Sequence, residues 1–296
     1  MKIAGNRKQF TVRAGKFNLH LGRRTFIMGI INLTEDSFSQ DGLLKRNTTR
    51  SLAIRKAVRL AKHLESQGAD IIDIGAESTR PGSMPVSKSE EIARLIPAVK
   101  KITRQIGIPV SVDTYKSEVA EAAIDAGASI INNVFGTKAQ YNKEIAQICA
   151  KNNSGLVIMH IRGTPLDMHK QTKYRSLISE IIKELKAAVA CALDAGLGPG
   201  NIIIDPGIGF AKTLNQNLEI INRLKEFESL NKPILIGLSR KSFIGKLLNL
   251  DVRERIFGTA ASVALAIANG CHIVRVHDVV EMSQVACVSD AILDYK

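Results

Sequence analysis

Short apolar segments recur along the chain and are separated by longer segments with helical periodicity. Each apolar segment is rich in Ile and Val and is continuous rather than alternating, as in strands that are buried on both faces of a parallel sheet. There are eight such segments: Ile27–Asn32, Ile71–Gly75, Val110–Asp113, Ile130–Val134, Leu156–His160, Ile202–Asp205, Ile234–Ser239 and Ile273–His277. The pattern therefore predicts eight parallel strands.

The intervening segments predict helices. Within Thr49–Gln67 the apolar side chains fall on one helical face, at Ala53, Ala57, Leu60, Ala61 and Leu64. Several segments end in a glycine directly before the next strand, as at Gly68, Gly127 and Gly270, and glycine suits the left-handed turn that ends a helix. Strands that alternate with helices in this way predict an α/β fold, a (β/α)8 TIM barrel.

The segment before the first barrel strand predicts a β-hairpin. Gln9–Arg13 and Phe17–Leu21 flank a turn sequence that contains Gly15. We therefore divide the chain into an N-terminal hairpin extension, residues 1–22, which we expect at the bottom of the barrel, and a single barrel domain, residues 23–296. An open doubly wound sheet is the alternative fold. No G-x-G-x-x-G follows the first strand, which weakens the dinucleotide-binding form of that alternative.

Polar residues follow every predicted strand at its carboxyl end, where barrel enzymes place their chemistry. Singly, each is an ordinary turn or cap residue, but in a barrel all of them meet on one rim. Carboxylates and amides there suit a flat, nitrogen-rich heterocycle, because a carboxylate accepts two parallel hydrogen bonds from an amidine-like edge. The basic residues on the same rim suit an anion. The residues alone thus predict an enzyme for a polar heterocycle and an anion, without identifying the reaction.

The composition narrows the possible partners. A net charge of +13 on 296 residues favours anionic ligands, but the basic residues are scattered and Trp is absent, which argues against a nucleic-acid partner. No apolar run reaches the roughly 18 residues of a membrane span, and residues 1–22 lack the apolar centre of a signal peptide. The four cysteines form no C-x-x-C pair, so we expect buried free thiols in a cytoplasmic enzyme without a membrane partner.

Four motifs, each placed after a predicted strand, resemble those of the dihydropteroate synthase family. They are Asn32-Leu33-Thr34-Glu35-Asp36-Ser37-Phe38-Ser39, Glu77-Ser78-Thr79-Arg80-Pro81-Gly82, Asp205-Pro206-Gly207-Ile208-Gly209-Phe210 and Gly237-Leu238-Ser239-Arg240-Lys241. The resemblance extends from about Phe26 to Val279. Members of this family condense 6-hydroxymethyl-7,8-dihydropterin pyrophosphate with p-aminobenzoate and release pyrophosphate.

The resemblance implies a role for several residues of this chain. The pterin would be bound by Asp113, Asn132, Met159, Asp205, Phe210 and Lys241. The pyrophosphate would be bound by Asn32, Thr79, Arg275 and His277, with Asn32 holding Mg²⁺. The p-aminobenzoate would be bound by Arg80, Pro81, Phe210, Lys241 and Ser242. The catalytic set would be Asp113, Asp205, Lys241, Arg275 and His277. The resemblance also implies a homodimer formed through barrel helices.

The chain departs from the family pattern at three positions. Glu35 stands where the family usually has Pro, Asn133 where many members have Asp, and Ala76 where Gly is common. Two other functions stay open at this point. A methyltetrahydrofolate-dependent corrinoid methyltransferase shares the Asp and Asn pterin contacts but needs no pyrophosphate site, and a non-enzymatic RNA binder would account for the charge alone.

Overall fold

The computed structural model describes residues 7–34, 42–43, 49–78 and 82–295. The strands in these ranges are β1 (Phe10–Ala14), β2 (Phe17–Leu21), β3 (Phe26–Asn32), β4 (Ile71–Gly75), β5 (Val110–Asp113), β6 (Ile130–Asn133), β7 (Gly155–Met159), β8 (Ile202–Asp205), β9 (Leu235–Gly237) and β10 (Ile273–Val276). The α-helices are α1 (Arg50–Ser66), α2 (Lys88–Ile102), α3 (Ser117–Asp125), α4 (Ala139–Lys151), α5 (Leu177–Asp194), α6 (Leu214–Asn222), α7 (Ser242–Leu248), α8 (Ile256–Ala268) and α9 (Val279–Asp294).

Strands β3 to β10 form one parallel barrel. Their order is β8-β7-β6-β5-β4-β3-β10-β9. The ring closes where Ile204 of β8 pairs with Ile234 and the amide of Ile204 donates to the carbonyl of Pro233 at 3.0 Å. The predicted (β/α)8 barrel is therefore confirmed.

Three of the eight barrel strands, β4, β5 and β8, have the predicted bounds, and the other five differ from them by one or two residues, most at β9. Ile234–Ser239 was expected to be extended, but β9 contains only Leu235–Gly237. The chain turns directly afterwards, where Arg240 adopts a left-handed φ of 57° and the amide of Lys241 donates to the carbonyl of Leu238. An apolar pattern does not distinguish such a turn from the end of a strand.

Local signals account for the helix ends. Helix α1 begins after Thr49, whose hydroxyl accepts from the amide of Leu52, and it ends before Gly68, which has a φ of 96°. The buried face of α1 carries Ala53, Ala57, Ala61 and Leu64, together with Ile54. The three alanines let the helix lie close against the strands, and the apolar face is the one that the periodicity predicted.

The hairpin of β1 and β2 closes the bottom of the barrel. The strands pair antiparallel, and alternate side chains point to one face, at Val12, Ala14, Leu19 and Leu21. They pack against the inward side chains of the barrel, at Met28, Ile71, Ile130, Val157, Ile203, Leu235 and Ile273. Burial of each larger apolar side chain contributes roughly 1.5–3 kcal/mol. The hairpin and its place are as expected, and the domain boundary at residue 22 stays a prediction.

The helices and the cysteines test two further expectations from the sequence. None of the helices in the described ranges is long and apolar enough to cross a membrane. The four cysteines are free, as predicted, but burial was predicted for all of them and Cys287 is exposed on α9, while Cys149 and Cys271 are buried.

The last helix is joined to the start of the barrel through Asp290. Its carboxylate accepts from the amide of Thr25 at 2.6 Å and from the Thr25 hydroxyl at 2.9 Å, and it forms an ion pair with Arg7. Because Asp290 is 8% exposed, its loss removes the acceptor of the Thr25 amide and the anionic partner of Arg7 in a largely dry site, and Arg7 keeps only its neutral acceptors, the Thr25 hydroxyl and the Cys271 carbonyl. We expect Asp290→Ala to lower the free energy of unfolding by about 2–4 kcal/mol, measured by urea denaturation. The exposed Asp125→Ala is the control, and equal stability of the two variants would contradict this role.

Candidate active site

A cavity of about 180 Å³ opens at the carboxyl ends of the barrel strands. Ten residues of the predicted site line it: Asn32, Asp113, Asn132, Met159, Asp205, Phe210, Lys241, Ser242, Arg275 and His277. The structure therefore brings these side chains together, as the common rim required. The other predicted site residues, Thr79, Arg80 and Pro81, lie outside the described residues, as does Glu35.

The guanidinium of Arg275 lies between two carboxylates. Its Nε donates to Asp73 Oδ2 at 2.6 Å and its Nη2 donates to Asp113 Oδ2 at 3.0 Å. The side-chain amide Nδ2 of Asn132 also donates to Asp73 Oδ2, at 3.2 Å. Asp73 is completely buried, and it fixes the orientation of both Arg275 and Asn132.

Burial and pairing set the charges in this network. Burial raises the pKa of Asp113 above its ordinary value, and the nearby charge of Arg275 only partly opposes that effect. Burial alone would lower the pKa of Arg275, but Asp73 and Asp113 outweigh it, so this pKa is raised. Arg275 therefore stays a cation, while Asp113 can exchange a proton near neutral pH.

Asp205 is held by the loop that follows β8. Its Oδ1 accepts from the amide of Gly207 at 2.7 Å. Burial raises the pKa of Asp205 to about 6, against the Gly207 hydrogen bond and the charges of Lys241, Lys212 and Arg275. Asp205 is therefore a largely ionised carboxylate at neutral pH, with a second oxygen that can accept from a ligand.

Lys241 and Phe210 form one wall of the cavity. The Nζ of Lys241 lies 4.4 Å from the centroid of the Phe210 ring, a cation–π contact. Burial lowers the pKa of Lys241 to about 8, although Asp205 and Asp113 oppose this. Its neighbour Arg240 does not line the cavity, because its guanidinium binds Asp278.

His277 also lines the cavity and is oriented by Ser239. The hydroxyl of Ser239 accepts from the amide of His277 at 3.2 Å and lies 3.0 Å from Nδ1 of the same residue. This double contact restrains the imidazole ring where it lines the cavity.

Two of the departures from the family pattern lie in the described structure. Ala76 is completely buried directly after β4. Asn133 is also buried, and its Oδ1 accepts from the amide of Phe135 at 3.0 Å. Neither residue lines the cavity, and only Asn133 contacts the backbone near the site through its side chain.

Sequence analysis missed Asp73. It lies in the middle of the apolar segment Ile71–Gly75, whereas the candidate site residues were taken from the carboxyl ends of the strands. A carboxylate inside a strand that is buried on both faces requires a cationic or hydrogen-bonding partner within the barrel. The position of Asp73 inside an apolar segment therefore indicates that the barrel interior contains a cation or a hydrogen-bond donor.

Gly207 is the position where the loop after β8 tolerates no side chain. Its φ is 73°, and a Cβ there would lie 2.0 Å from the carbonyl oxygen of His160. We expect Gly207→Ala to displace the loop and to lower the free energy of unfolding by about 2 kcal/mol or more, measured by urea denaturation. Gly200→Ala is the matched control, since a Cβ there meets its nearest atom at 3.6 Å. An unchanged stability for Gly207→Ala would show that the loop can shift freely.

Comparisons with known proteins agree with this site. The model of the pterin binding enzyme family matches residues 28–277. A dihydropteroate synthase from Clostridium beijerinckii is 47% identical over 95% of this chain and 99% of its own.

Solved structures resemble the whole fold. The dihydropteroate synthase of Xanthomonas albilineans with 4-aminobenzoic acid has a TM-score of 0.87 at 32% identity, over 98% of this chain and 100% of its own. That of Clostridium difficile, solved in the presence of pteroic acid, has a TM-score of 0.82 at 40% identity, over 95% and 99%. The chain therefore belongs to the pterin binding enzyme family, among its dihydropteroate synthases.

Proposed function

We propose that this enzyme condenses 6-hydroxymethyl-7,8-dihydropterin pyrophosphate with p-aminobenzoate to give 7,8-dihydropteroate and pyrophosphate. The observation that carries the proposal is the convergence in one cavity of three carboxylates, two of them Asp113 and Asp205, with an arginine, a lysine and a histidine. The carboxylates suit the heterocycle, and the cations suit the leaving anion. The relatives support the same reaction, since one was solved with 4-aminobenzoic acid and another with pteroic acid.

The pterin occupies the deep part of the cavity in this proposal. Asp205 accepts two hydrogen bonds from the amide and amino nitrogens of the ring, because its carboxylate is ionised and aimed into the cavity. Asn132 donates and accepts on the same ring, and Asp113 lies beside it. Met159 and Phe210 supply apolar surface for the ring faces, and Lys241 caps the edge.

The pyrophosphate lies toward the mouth, near Arg275 and His277. Both offer N–H donors to the oxygens that gain charge when the bond to the pterin methylene carbon breaks. Thr79 is assigned to the same anion from the sequence motif. Because Arg275 is already oriented by Asp73 and Asp113, it needs no rearrangement during the reaction.

Mg²⁺ fits the pyrophosphate end of the site. The carboxamide oxygen of Asn32 is a hard ligand that Mg²⁺ accepts, and this ion is usually held by one or two protein groups together with substrate phosphates. We assign the remaining ligands of the ion to pyrophosphate oxygens and water. When bound, the ion offsets charge on the leaving group.

The p-aminobenzoate enters above the pterin. Phe210, Lys241 and Ser242, which line the cavity, are assigned to this substrate, and Arg80 and Pro81 are assigned to it from the sequence motif. Its neutral amine attacks the methylene carbon as the carbon–oxygen bond to pyrophosphate breaks, and the amine then loses a proton. An aniline nitrogen is nucleophilic while neutral, so the site needs positioning and electrostatic stabilisation rather than a strong base.

The competing functions lack comparable support. The relatives reported above are dihydropteroate synthases, which supports this reaction and not corrinoid-dependent methyl transfer. An RNA-binding function does not explain why carboxylates and cations converge in a recessed cavity.

The test is turnover by the purified enzyme with both substrates and Mg²⁺, followed as pyrophosphate release and pteroate formation. We expect product that requires both substrates and disappears with a chelator. Asp205→Ala and Lys241→Ala should each lower kcat/KM by about 100-fold or more, since each removes a charged contact made in the transition state. Asp194→Ala and Lys186→Ala, both exposed on α5, are the matched controls. Near-normal turnover in either site variant would refute its assignment, and pterin binding without condensation would refute the reaction.

We further propose that the enzyme is a homodimer through α8 and α9. Helix α8 contains no charged side chain along its 13 residues. The exposed apolar residues of this region are Phe257, Leu265, Val288, Ile292 and Leu293, with Phe257 84% exposed. A helix that is apolar on its outer face is usually covered, and a second copy of the same face provides a self-complementary partner.

Phe257→Glu combined with Ile292→Glu tests this interface, because it places four like charges across a two-fold contact. We expect the wild type to sediment at twice the mass of the chain and the double variant at the mass of one chain, in analytical ultracentrifugation. Leu193→Glu, exposed on α5, should remain dimeric. A monomeric wild type at micromolar concentration, or a dimeric double variant, would exclude this arrangement.

A further inference from the structure

Lys212 is a buried lysine just beyond the residues assigned to ligands. The residue is 9% exposed. Its Nζ donates to the carbonyl of Phe210 at 2.9 Å and to Nδ1 of His160 at 3.1 Å. An ammonium group in such a position requires a structural or functional reason, since the burial of a charge is costly.

His160 anchors this lysine to the barrel wall. Because Nδ1 accepts from Lys212, the ring proton lies on Nε2, which donates to Glu184 Oε2 at 2.9 Å. Burial and the charge of Lys212 lower the pKa of His160 to about 4, so the ring is neutral. Glu184 is fixed in turn by Arg162, whose Nε donates to it at 3.0 Å. Lys212 is thus connected to α5 through a chain of oriented groups.

The other contact of Lys212 reaches the wall of the active site. The loop after β8 lines the cavity with Ile208, Gly209 and Phe210. It continues into Ala211, which has a left-handed φ of 52°, a conformation that costs a non-glycine residue about 1–3 kcal/mol. A loop with such strain keeps its shape only when its surroundings restrain it, and Lys212 holds the carbonyl directly before the strained residue.

The charge of Lys212 also acts on Asp205. No carboxylate of the described residues forms an ion pair with Lys212, so its charge acts on Asp205 and Glu184 over a longer distance. The groups that face the two residues are His160 at the end of β7, Arg162 after it, Glu184 on α5, Lys241 before α7 and Arg275 on β10. Burial lowers the pKa of Lys212 to about 7, and the charge of Asp205 is the larger of the two that oppose this effect. Reciprocally, the Lys212 charge restrains the upward shift that burial imposes on the pKa of Asp205.

We propose that Lys212 is a positioning residue of this active site, which fixes the Phe210 wall by its hydrogen bond and keeps Asp205 ionised by its charge. The inference rests on the proposed function for the ligands that Asp205 and Phe210 bind. Lys212 itself does not line the cavity, so it acts through these two residues. Neither role follows from the strand-end pattern or from the motif that ends at Phe210.

Two substitutions separate the hydrogen bond from the charge. Lys212→Met keeps a straight side chain but removes both, whereas Lys212→Gln removes the charge and keeps an N–H donor. Lys232→Met is the matched control, because Lys232 also donates to a carbonyl, that of Pro199, and burial likewise lowers its pKa, but it lies away from the cavity. Binding of dihydropterin pyrophosphate is measured by calorimetry from pH 5 to 9, and kcat and KM are measured over the same range.

We expect Lys212→Met to weaken pterin binding about tenfold, which corresponds to one buried carbonyl left unpaired. The acidic limb of its curve of pterin affinity against pH should also move to higher pH. Without the lysine charge the pKa of Asp205 rises. The carboxylate is therefore protonated, and pterin binding is lost, at a higher pH than in the wild type. Lys212→Gln should recover part of the affinity and keep the shifted limb. Lys232→Met should match the wild type in both.

Other outcomes overturn the proposal. A fall in melting temperature with unchanged affinity and an unchanged acidic limb would mean that Lys212 only stabilises the fold. A shifted limb in Lys232→Met would mean that the effect is not local. If Lys212→Met does not fold, an acidic limb in Lys212→Gln equal to that of the wild type is sufficient to reject the charge role. Failure of the proposed function is distinguishable, because a wild type that binds dihydropterin pyrophosphate but forms no pteroate still tests Lys212 by calorimetry.

Discussion

The pairing of Arg275 with Asp73 and Asp113 is the constraint on which the rest of the site depends. A guanidinium inside a barrel is tolerated only when carboxylates accept from it, and here they come from two neighbouring strands, β4 and β5. The same ion pairs connect these strands to β10 through the interior. The cation is thereby held in one orientation before any ligand arrives.

Asp205, unlike Asp73 and Asp113, is not paired with a cation of the described residues. Its ionisation depends on the Gly207 amide and on charges farther away. Such a carboxylate keeps an oxygen available for a ligand, whereas a fully paired one does not. The barrel therefore uses two kinds of acidic residue, one that orients a cation and one that remains receptive to the heterocycle.

The barrel strands were predictable from the sequence to within two residues, and so were ten of the residues that line the cavity, because parallel barrel strands bring their carboxyl ends to one rim. Asp205, Asn132 and Arg275 are examples. Asp73 was not found, since it reaches the same space from the middle of a strand, and Lys212 was not found, since it acts through a carbonyl and a neighbouring ring. Register within a barrel and the path of a long side chain are properties of the three-dimensional packing that a linear pattern does not contain.

The pairing of the first barrel strand with the last has a consequence for synthesis. Strand β3 borders β4 on one side and β10 on the other, and Thr25 binds Asp290, 265 residues later. During translation β3 is therefore an unpaired edge until nearly the whole chain has emerged. Such an edge can pair with other nascent chains, so the pairing of β10 with β3 also removes a site at which unfinished chains could associate.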